Sequence, residues 1–203
     1  MSKPLFIFEM ANNHMGDTAH GVAIIRAIRE ACEGFDAFDF AFKLQYRDLD
    51  TFIHSSFKGR DDVKYVKRFE ETRLSQAEFQ TLINAMRECA FKTVCTPFDE
   101  KSVDLIEAQG IEVIKIASCS LTDWPLLERI ARSDKPIVAS TAGATPEEVD
   151  NVTSFFQHRN NDLTLMHCVA EYPTPDANLH IARIDALLRR YPSVRIGFST
   201  HEA

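Results

Sequence analysis

The stretch VIKIASCS at residues 113–120 decides the fold class. Its first four residues are apolar except for Lys115, and near-continuous apolar runs are typical of parallel strands that are buried on both faces. A buried ammonium group is costly unless a partner or a bound anion compensates its charge. The run then breaks into the small polar residues Ser118, Cys119 and Ser120. The stretch therefore predicts a parallel strand whose carboxyl end carries chemically active groups.

Six further apolar runs of the same kind occur along the chain, and amphipathic helix patterns separate them. The predicted strands are Leu5–Glu9, Asp39–Gln45, Thr93–Phe98, Val113–Ser118, Pro136–Thr141, Leu163–Cys168 and Arg195–Thr200. The predicted helices are Thr18–Glu33, a helix capped by Ser75, Ser102–Gln109, Pro125–Arg132, a helix capped by Thr145, and Ile181–Tyr191. Strands that alternate with helices in this way predict a parallel α/β sheet with right-handed crossovers.

The even spacing favours a (β/α)8 TIM barrel that is truncated after its seventh strand, with residues 1–203 as a single incomplete barrel domain. An open doubly wound sheet is the alternative. We expect the chain to be part of a longer protein that supplies the eighth strand. The connection from Tyr46 to Leu74 is long for a strand-to-helix loop, and its segment DVKYVKRFEE predicts an extra helix that could form a lid.

Composition narrows the class of partner. The formal net charge is -7 and no basic run is present, which argues against nucleic acid and acidic membranes as partners. The five cysteines are widely spaced and form no CxxC pair, so they predict free thiols in a reducing compartment, and Cys95, Cys119 and Cys168 read as core residues. Neither a signal peptide nor a membrane-spanning run is recognisable, so we expect a cytoplasmic protein.

Polar residues end the apolar runs. In parallel α/β folds these carboxyl ends form the ligand-binding crevice. The candidate side chains are Glu9, Lys43, Thr96, Lys115, Ser118, Ser140, Tyr172, Ser199 and His201. Two lysines with several hydroxyl groups predict a pocket for phosphate or carboxylate. For each lysine the alternative is a side chain that extends to solvent or pairs with a carboxylate of the protein.

Glu9 and the histidines allow several roles. Glu9 closes an apolar strand, where it could bind a sugar hydroxyl, act as an acid or base, or pair with a lysine. His201 lies at a strand end beside Glu202 and is the preferred metal ligand, although the spacing identifies no second one. His167 lies inside an apolar run, which is compatible with a structural histidine.

Taken together, these motifs resemble the sialic acid synthase family, which includes N-acetylneuraminate, legionaminate and pseudaminate synthases. The resemblance covers nearly all of the chain. It is carried by FEMANNHMGD, FKLQ, CTPFD, IKIAS, PLLERIARSDKPIVAST, LMHCVAEYPTP and IGFSTH. Each motif alone is weak evidence for a family, but the number, order and position of the motifs at strand ends make the resemblance specific.

The resemblance implies a barrel transferase that condenses phosphoenolpyruvate with an N-acyl hexosamine, using a divalent metal such as manganese or magnesium. The metal would polarise the sugar aldehyde, which the methylene carbon of phosphoenolpyruvate attacks. The residues that match the phosphoenolpyruvate pocket are Lys43, Thr96, Lys115, Ser118, Ser140 and Ser199. Glu9 and Tyr172 match the sugar region, and His201 matches the first metal histidine. The longer protein would be a homodimer.

Three departures from the family pattern bear on function. Ser120 stands where a carboxylate is expected, Thr200 replaces the aspartate before the metal histidine, and the eighth strand and the antifreeze-like domain are absent from this sequence. Two alternatives stay open. One is a Schiff-base pyruvate aldolase with Lys115 or Lys43 as the nucleophile, and the other is an inactive sugar-binding relative.

Overall fold

The computed structural model describes residues 3–201, and its strands and helices alternate along the chain. The strands are β1 (Leu5–Glu9), β2 (Asp39–Tyr46), β3 (Lys92–Pro97), β4 (Val113–Ile116), β5 (Ile137–Ser140), β6 (Leu163–His167) and β7 (Arg195–Phe198). The helices are α1 (Thr18–Ala31), α2 (Leu49–Phe52), α3 (Lys64–Glu71), α4 (Gln76–Glu88), α5 (Glu100–Ala108), α6 (Trp124–Ala131), α7 (Pro146–Gln157) and α8 (Ala182–Arg190).

The chain divides into two compact units, residues 1–112 and 113–203. In the first unit β1 pairs with β2 and β2 pairs with β3, and all three strands are parallel. In the second unit β4, β5, β6 and β7 pair in chain order and are also parallel. The predicted α/β class is confirmed, because seven parallel strands alternate with helices as in the first seven strands of a TIM barrel.

Predicted and observed boundaries differ by two residues or fewer. Strand β4 ends at Ile116 and β7 ends at Phe198, two residues before the predicted ends. The polar residues that follow leave the ladder and turn into loops. In contrast, the two predicted N-caps are found as complete capping boxes, Ser75 with Glu78 and Thr145 with Glu148, because these local hydrogen bonds satisfy the first amides of the helix.

The sheet of the first unit has two chemically different faces. Side chains alternate along a strand, and residues in register share a face. The outer face is aromatic: the Phe8 ring lies 5.9 Å from Phe40 and 6.1 Å from Phe42, and Phe42 lies 5.5 Å from Phe91. Near the carboxyl ends of the strands, the opposite face carries polar groups. This division places the chemically active side chains away from the apolar core.

The extra helix predicted in the long β2–α4 connection is confirmed as α3. Gly16, in the loop after β1, has a φ of +75°, and a Cβ there would lie only 2.8 Å from the carbonyl oxygen of Glu71. A glycine is required at this position because the loop approaches the end of α3 so closely. The predicted lid movement of this segment stays a prediction.

In the second unit, Met166 and Gly197 are register partners on β6 and β7. A Cβ on Gly197 would stand 2.5 Å from the Met166 Sδ and 2.9 Å from its Cε. The methionine side chain therefore occupies the space that a side chain at position 197 would need. This packing lies on the face shared by Ser140, because Ser140 is the register partner of Met166 on β5.

The cysteines are all free thiols, as predicted. Cys95 is fully buried, and burial raises the pKa of its thiol well above the usual range. The prediction that Cys119 packs in the core is wrong, because it lies in the 3-10 turn Ser118–Ser120 after β4 and is exposed. Cys168 is half-buried. Among residues 3–201, none of the helices has the length and apolar character needed to cross a membrane.

Candidate active site

Glu9 and Lys43 form an ion pair at the carboxyl ends of β1 and β2. They are register partners, and the Lys43 Nζ donates to the Glu9 Oε2. The other carboxylate oxygen accepts a hydrogen bond of 2.8 Å from the Ala11 backbone N–H. Of the roles that the sequence left open for Glu9, pairing with a lysine is the one that the structure shows. Both side chains keep some exposure, 15% for Lys43 and 30% for Glu9, so the pair remains accessible to a ligand.

Gln45 and Thr96 continue this polar face. They are register partners on β2 and β3, two residues beyond Lys43 and Val94 in each strand. The Thr96 side chain is buried, and its Oγ1 has no hydrogen-bond partner among residues 3–201. A buried hydroxyl without a partner is costly, so Thr96 is placed as a donor to a bound ligand would be. The structure thus brings together three groups of one face: the predicted Glu9, Lys43 and Thr96.

An open cleft of about 540 Å³ begins at Gln45 in the first unit. Its polar lining includes Asn12, His14, Arg47, Arg73 and Lys101. His14 is buried, its Nδ1 accepts a hydrogen bond of 3.1 Å from the Gly16 N–H, and burial lowers its pKa. It is therefore a neutral imidazole whose Nε2 carries the proton. A cleft of this volume suits a small-molecule ligand.

Arg47 is a functional candidate that the sequence analysis missed. Its guanidinium carbon lies 3.8 Å from the ring centre of Phe98 and 4.4 Å from that of Phe69, and its Nη2 donates to the Gln45 Oε1 at 2.9 Å. Stacking between two rings fixes the plane of the guanidinium. The available signal was a cation two residues after the strand motif FKLQ.

In the second unit, Lys115 and Ser140 lie on neighbouring strands. Lys115 is only 8% exposed, its Nζ donates to the Ser140 hydroxyl and, at 3.2 Å, to the Ile116 carbonyl oxygen. Ser140 is itself buried. The Lys115 register partner is Val138, so the contact with Ser140 runs diagonally along one face. The predicted lysine and hydroxyl of β4 and β5 are therefore adjacent.

Ser118 lies just beyond β4 and is held by two neighbours. Its hydroxyl oxygen accepts a hydrogen bond of 3.2 Å from the Ala142 N–H and lies 3.5 Å from the Cys168 Sγ. Ser199 follows β7, and its N–H donates to the His167 carbonyl at 2.9 Å. Ser120, at the position of the expected carboxylate, is buried within the 3-10 turn.

The loop after β6 brings Tyr172 to His201. Their ring centres are 4.5 Å apart, and the Thr174 N–H donates to the His201 carbonyl oxygen at 2.7 Å. Tyr172 is 70% exposed and His201 is exposed as well. His167, in contrast, is a buried structural histidine whose Nε2 lies 2.8 Å from the Leu179 carbonyl oxygen and whose ring stacks on Phe198.

The described part of the chain does not by itself provide a metal centre. No group of three histidine, cysteine, aspartate or glutamate side chains is close enough to hold an ion among residues 3–201. Protein metal sites of the catalytic type use about three protein ligands, and His201 alone supplies one. Glu202, its sequence neighbour, lies outside the described residues. We therefore assign no reaction step to a metal.

The comparisons with known proteins agree with the predicted resemblance. A model described as the NeuB family matches residues 28–203. The spore coat polysaccharide biosynthesis protein SpsE of Bacillus subtilis is 32% identical over 98% of this chain and 53% of its own length. The N,N'-diacetyllegionaminic acid synthase of Campylobacter jejuni is 27% identical over 99% of this chain and 61% of its own length.

A solved structure from Chromobacterium violaceum, described as a spore coat polysaccharide biosynthesis protein E, is 74% identical. It superposes with a TM-score of 0.96 over 99% of this chain and 60% of that chain. The chain therefore spans between about half and three fifths of the length of these similar proteins.

Proposed function

The chain belongs to the NeuB family, and from this premise we propose that it condenses phosphoenolpyruvate with an N-acyl hexosamine to give a nonulosonic acid and phosphate. The synthase that it resembles in Campylobacter jejuni makes such a sugar acid, N,N'-diacetyllegionaminic acid. The observation that carries the proposal is the buried Lys115, which donates to Ser140 at the carboxyl ends of two adjacent strands. A buried cation beside a hydroxyl suits the phosphate or carboxylate of phosphoenolpyruvate.

The residues of each unit would have separate tasks. Lys115, Ser140 and Ser118 would bind anionic oxygens of phosphoenolpyruvate and stabilise charge that shifts during the reaction. In the first unit, Lys43 would bind an anionic oxygen and Thr96 would donate its buried hydroxyl proton. Glu9, held by the Ala11 N–H, would pair with Lys43 until an anion arrives and would accept or return a proton.

The proposed reaction forms one carbon–carbon bond. The methylene carbon of phosphoenolpyruvate attacks the aldehyde carbon of the open-chain sugar, and the aldehyde oxygen takes up a proton. The cationic centre left beside the phosphate adds water and then expels phosphate. Ser199 and Tyr172 belong to the proposal as substrate-binding residues. The dependence on manganese or magnesium, with His201 as one ligand, also stays a proposal, as do the homodimer and the cytoplasmic location.

Phosphate release tests this function directly. The full-length protein would be incubated with phosphoenolpyruvate, manganese and a panel of N-acyl hexosamines, with Lys115→Met as the inactive variant and Lys67→Met as the matched control on the exposed surface of α3. We expect release with at least one sugar, loss in Lys115→Met and full activity in Lys67→Met. Binding of phosphoenolpyruvate without release from any sugar would favour the inactive sugar-binding relative instead.

Borohydride reduction in the presence of pyruvate tests the aldolase alternative. In the structure both lysines already donate hydrogen bonds, the Lys43 Nζ to Glu9 and the Lys115 Nζ to Ser140. We therefore expect no covalent adduct on Lys43 or Lys115 by mass spectrometry. An adduct on either lysine would replace the synthase proposal by the aldolase.

A further inference from the structure

The cleft of the first unit concentrates cations in an acidic chain. Arg47, Arg73 and Lys101 line it, and Asp48 is the one carboxylate of its lining among the described residues. The chain as a whole has a net charge of -7. The cations come from three separate places: the residue after β2, the third residue before α4 and the first turn of α5. Such a local cluster can attract an anion in spite of the global charge.

Arg47 is fixed in the geometry that suits an oxyanion. The rings of Phe98 and Phe69 cover the guanidinium at 3.8 and 4.4 Å. Because the rings cover the faces of the guanidinium, its hydrogen bonds form at the edge of its plane. The Nη2 donates one of them to Gln45. A guanidinium edge matches phosphate and carboxylate oxygens. Because the stacking has already ordered the side chain, little conformational entropy is lost when a ligand binds.

The other two cations are held by carboxylates that an anion can replace. The Arg73 guanidinium donates to both oxygens of Asp50, at 3.3 and 3.0 Å, and the Lys101 Nζ lies 2.7 Å from the Asp48 Oδ2. The hydrogen bond from Arg73 lowers the pKa of Asp50, and the one from Lys101 lowers the pKa of Asp48. Arg73 and Asp50 are both more than half exposed, and exposed pairs contribute little to stability.

We propose that this cleft binds a phosphate group, either free inorganic phosphate or the phosphate ester of a small molecule. Arg47 provides the fixed guanidinium edge, and Arg73 and Lys101 turn from their carboxylates toward the ligand. Neither Glu9 nor Lys43 lines the cleft, so the site does not depend on the proposed synthase activity. Its link to the polar face is Gln45, which lines the cleft and is the register partner of Thr96.

Titration calorimetry of the folded chain tests the proposal with inorganic phosphate, N-acetylglucosamine 6-phosphate and N-acetylglucosamine as probes. We expect at least one phosphate probe to bind and the unphosphorylated sugar to bind more weakly than its phosphate ester. Arg73→Gln and Lys101→Gln should each weaken phosphate binding about tenfold, since each removes a charged hydrogen bond. The matched control is Lys67→Gln, a lysine of α3 that pairs with Glu71 outside the cleft, and it should change nothing.

Asp50→Asn gives the decisive comparison. If Arg73 binds the ligand, removal of the Asp50 carboxylate that competes for it should strengthen phosphate binding several-fold. A purely structural ion pair predicts no gain in affinity. The proposal would be overturned if neither phosphate probe binds. It would also be overturned if Arg73→Gln, Lys101→Gln and the unchanged chain bind phosphate with equal affinity. Preferential binding of the ester over free phosphate would identify a phosphorylated small molecule as the source, and the reverse would identify free phosphate. Circular dichroism confirms that each variant is folded.

Discussion

Lys43 donates a hydrogen bond to the Glu9 carboxylate across the paired strands β1 and β2. The Ala11 N–H donates to the second carboxylate oxygen at 2.8 Å. The Glu9 carboxylate is therefore held at both of its oxygens. An anionic substrate that binds Lys43 must therefore share the ammonium group with Glu9 or displace it. Lys43 is therefore held in place, and the Glu9 carboxylate would compete with any anion for its Nζ.

Glu9→Gln should separate binding from turnover. The amide removes the competing negative charge, so we expect phosphoenolpyruvate to bind several-fold more tightly in calorimetry. Turnover should fall by about 100-fold or more, because the proton-accepting group is lost. Glu171→Gln, whose carboxylate accepts from Asn178 in the second unit, is the control. Weaker binding in Glu9→Gln would mean that Glu9 supports the anion site through structure alone.

Lys115→Met should weaken anion binding without loss of stability. Burial of the Lys115 ammonium group costs free energy, so an apolar side chain of similar length should not destabilise the fold. We expect affinity for phosphoenolpyruvate to fall about tenfold or more, since a charged hydrogen bond is lost, while the midpoint of urea unfolding stays the same or rises. Lys135→Met serves as the comparison in the same unit. A large drop in the unfolding midpoint would instead make Lys115 a structural residue.

Gly16→Ala should destabilise the first unit. The residue has a φ of +75°, and the new Cβ would meet the Glu71 carbonyl oxygen at 2.8 Å. We expect a loss of about 2–3 kcal/mol in the free energy of unfolding, from backbone strain plus the displacement of α3. Gly59→Ala has a φ of +69° with no atom within 4 Å, so it isolates the strain and should cost only about 1 kcal/mol. Equal costs would show that the contact with Glu71 is unimportant.

Asp150 should make stability depend on acid pH. Hydrogen bonds from Arg190 and Tyr191 lower its pKa from 3.8 to about 2. Because the folded state has the lower pKa, this carboxylate stabilises the fold above pH 3.8 and loses that contribution as the pH falls toward 2. The unfolding free energy of the unchanged chain, followed with urea, should therefore fall more steeply through this window than that of Asp150→Asn. Parallel curves would refute the assignment.

A patch of phenylalanines at β1 and β2 should drive self-association of this chain. Phe6 is 50% exposed and Phe38 is 39% exposed, and their ring centres are 6.3 Å apart. Contiguous exposed apolar surface favours association between copies. Light scattering should show concentration-dependent association that Phe6→Ser reduces. Phe57→Ser, an exposed phenylalanine elsewhere, should leave it unchanged, and a monomer at all concentrations would contradict the prediction.

The sequence predicted the elements well where local physics is decisive. The capping boxes at Ser75 and Thr145 and the apolar runs of the strands involve residues close together in the chain, so pattern and propensity are sufficient. Lys115 and Ser140 were also recognisable, because polar residues inside or at the end of buried strands are unusual. Their diagonal contact, however, depends on the register between β4 and β5, which no local pattern specifies.

The site residues that escaped sequence reasoning depend on tertiary contacts. Arg47 was not singled out in the sequence, because its role depends on contacts with Phe69, more than twenty positions later, and with Phe98. Cys119 was misassigned because the apolar run suggested that the strand continued, whereas the chain turns directly after β4. The pairing of Glu9 with Lys43 was one of several open alternatives, since only the parallel register places them side by side.

The contact between Met166 and the bare backbone of Gly197 has an evolutionary consequence. One thioether fills a volume that belongs geometrically to two side chains, so a side chain at position 197 would require the flexible end of Met166 to move. Homologous chains that carry alanine or serine at the second position should have a shorter residue at the first.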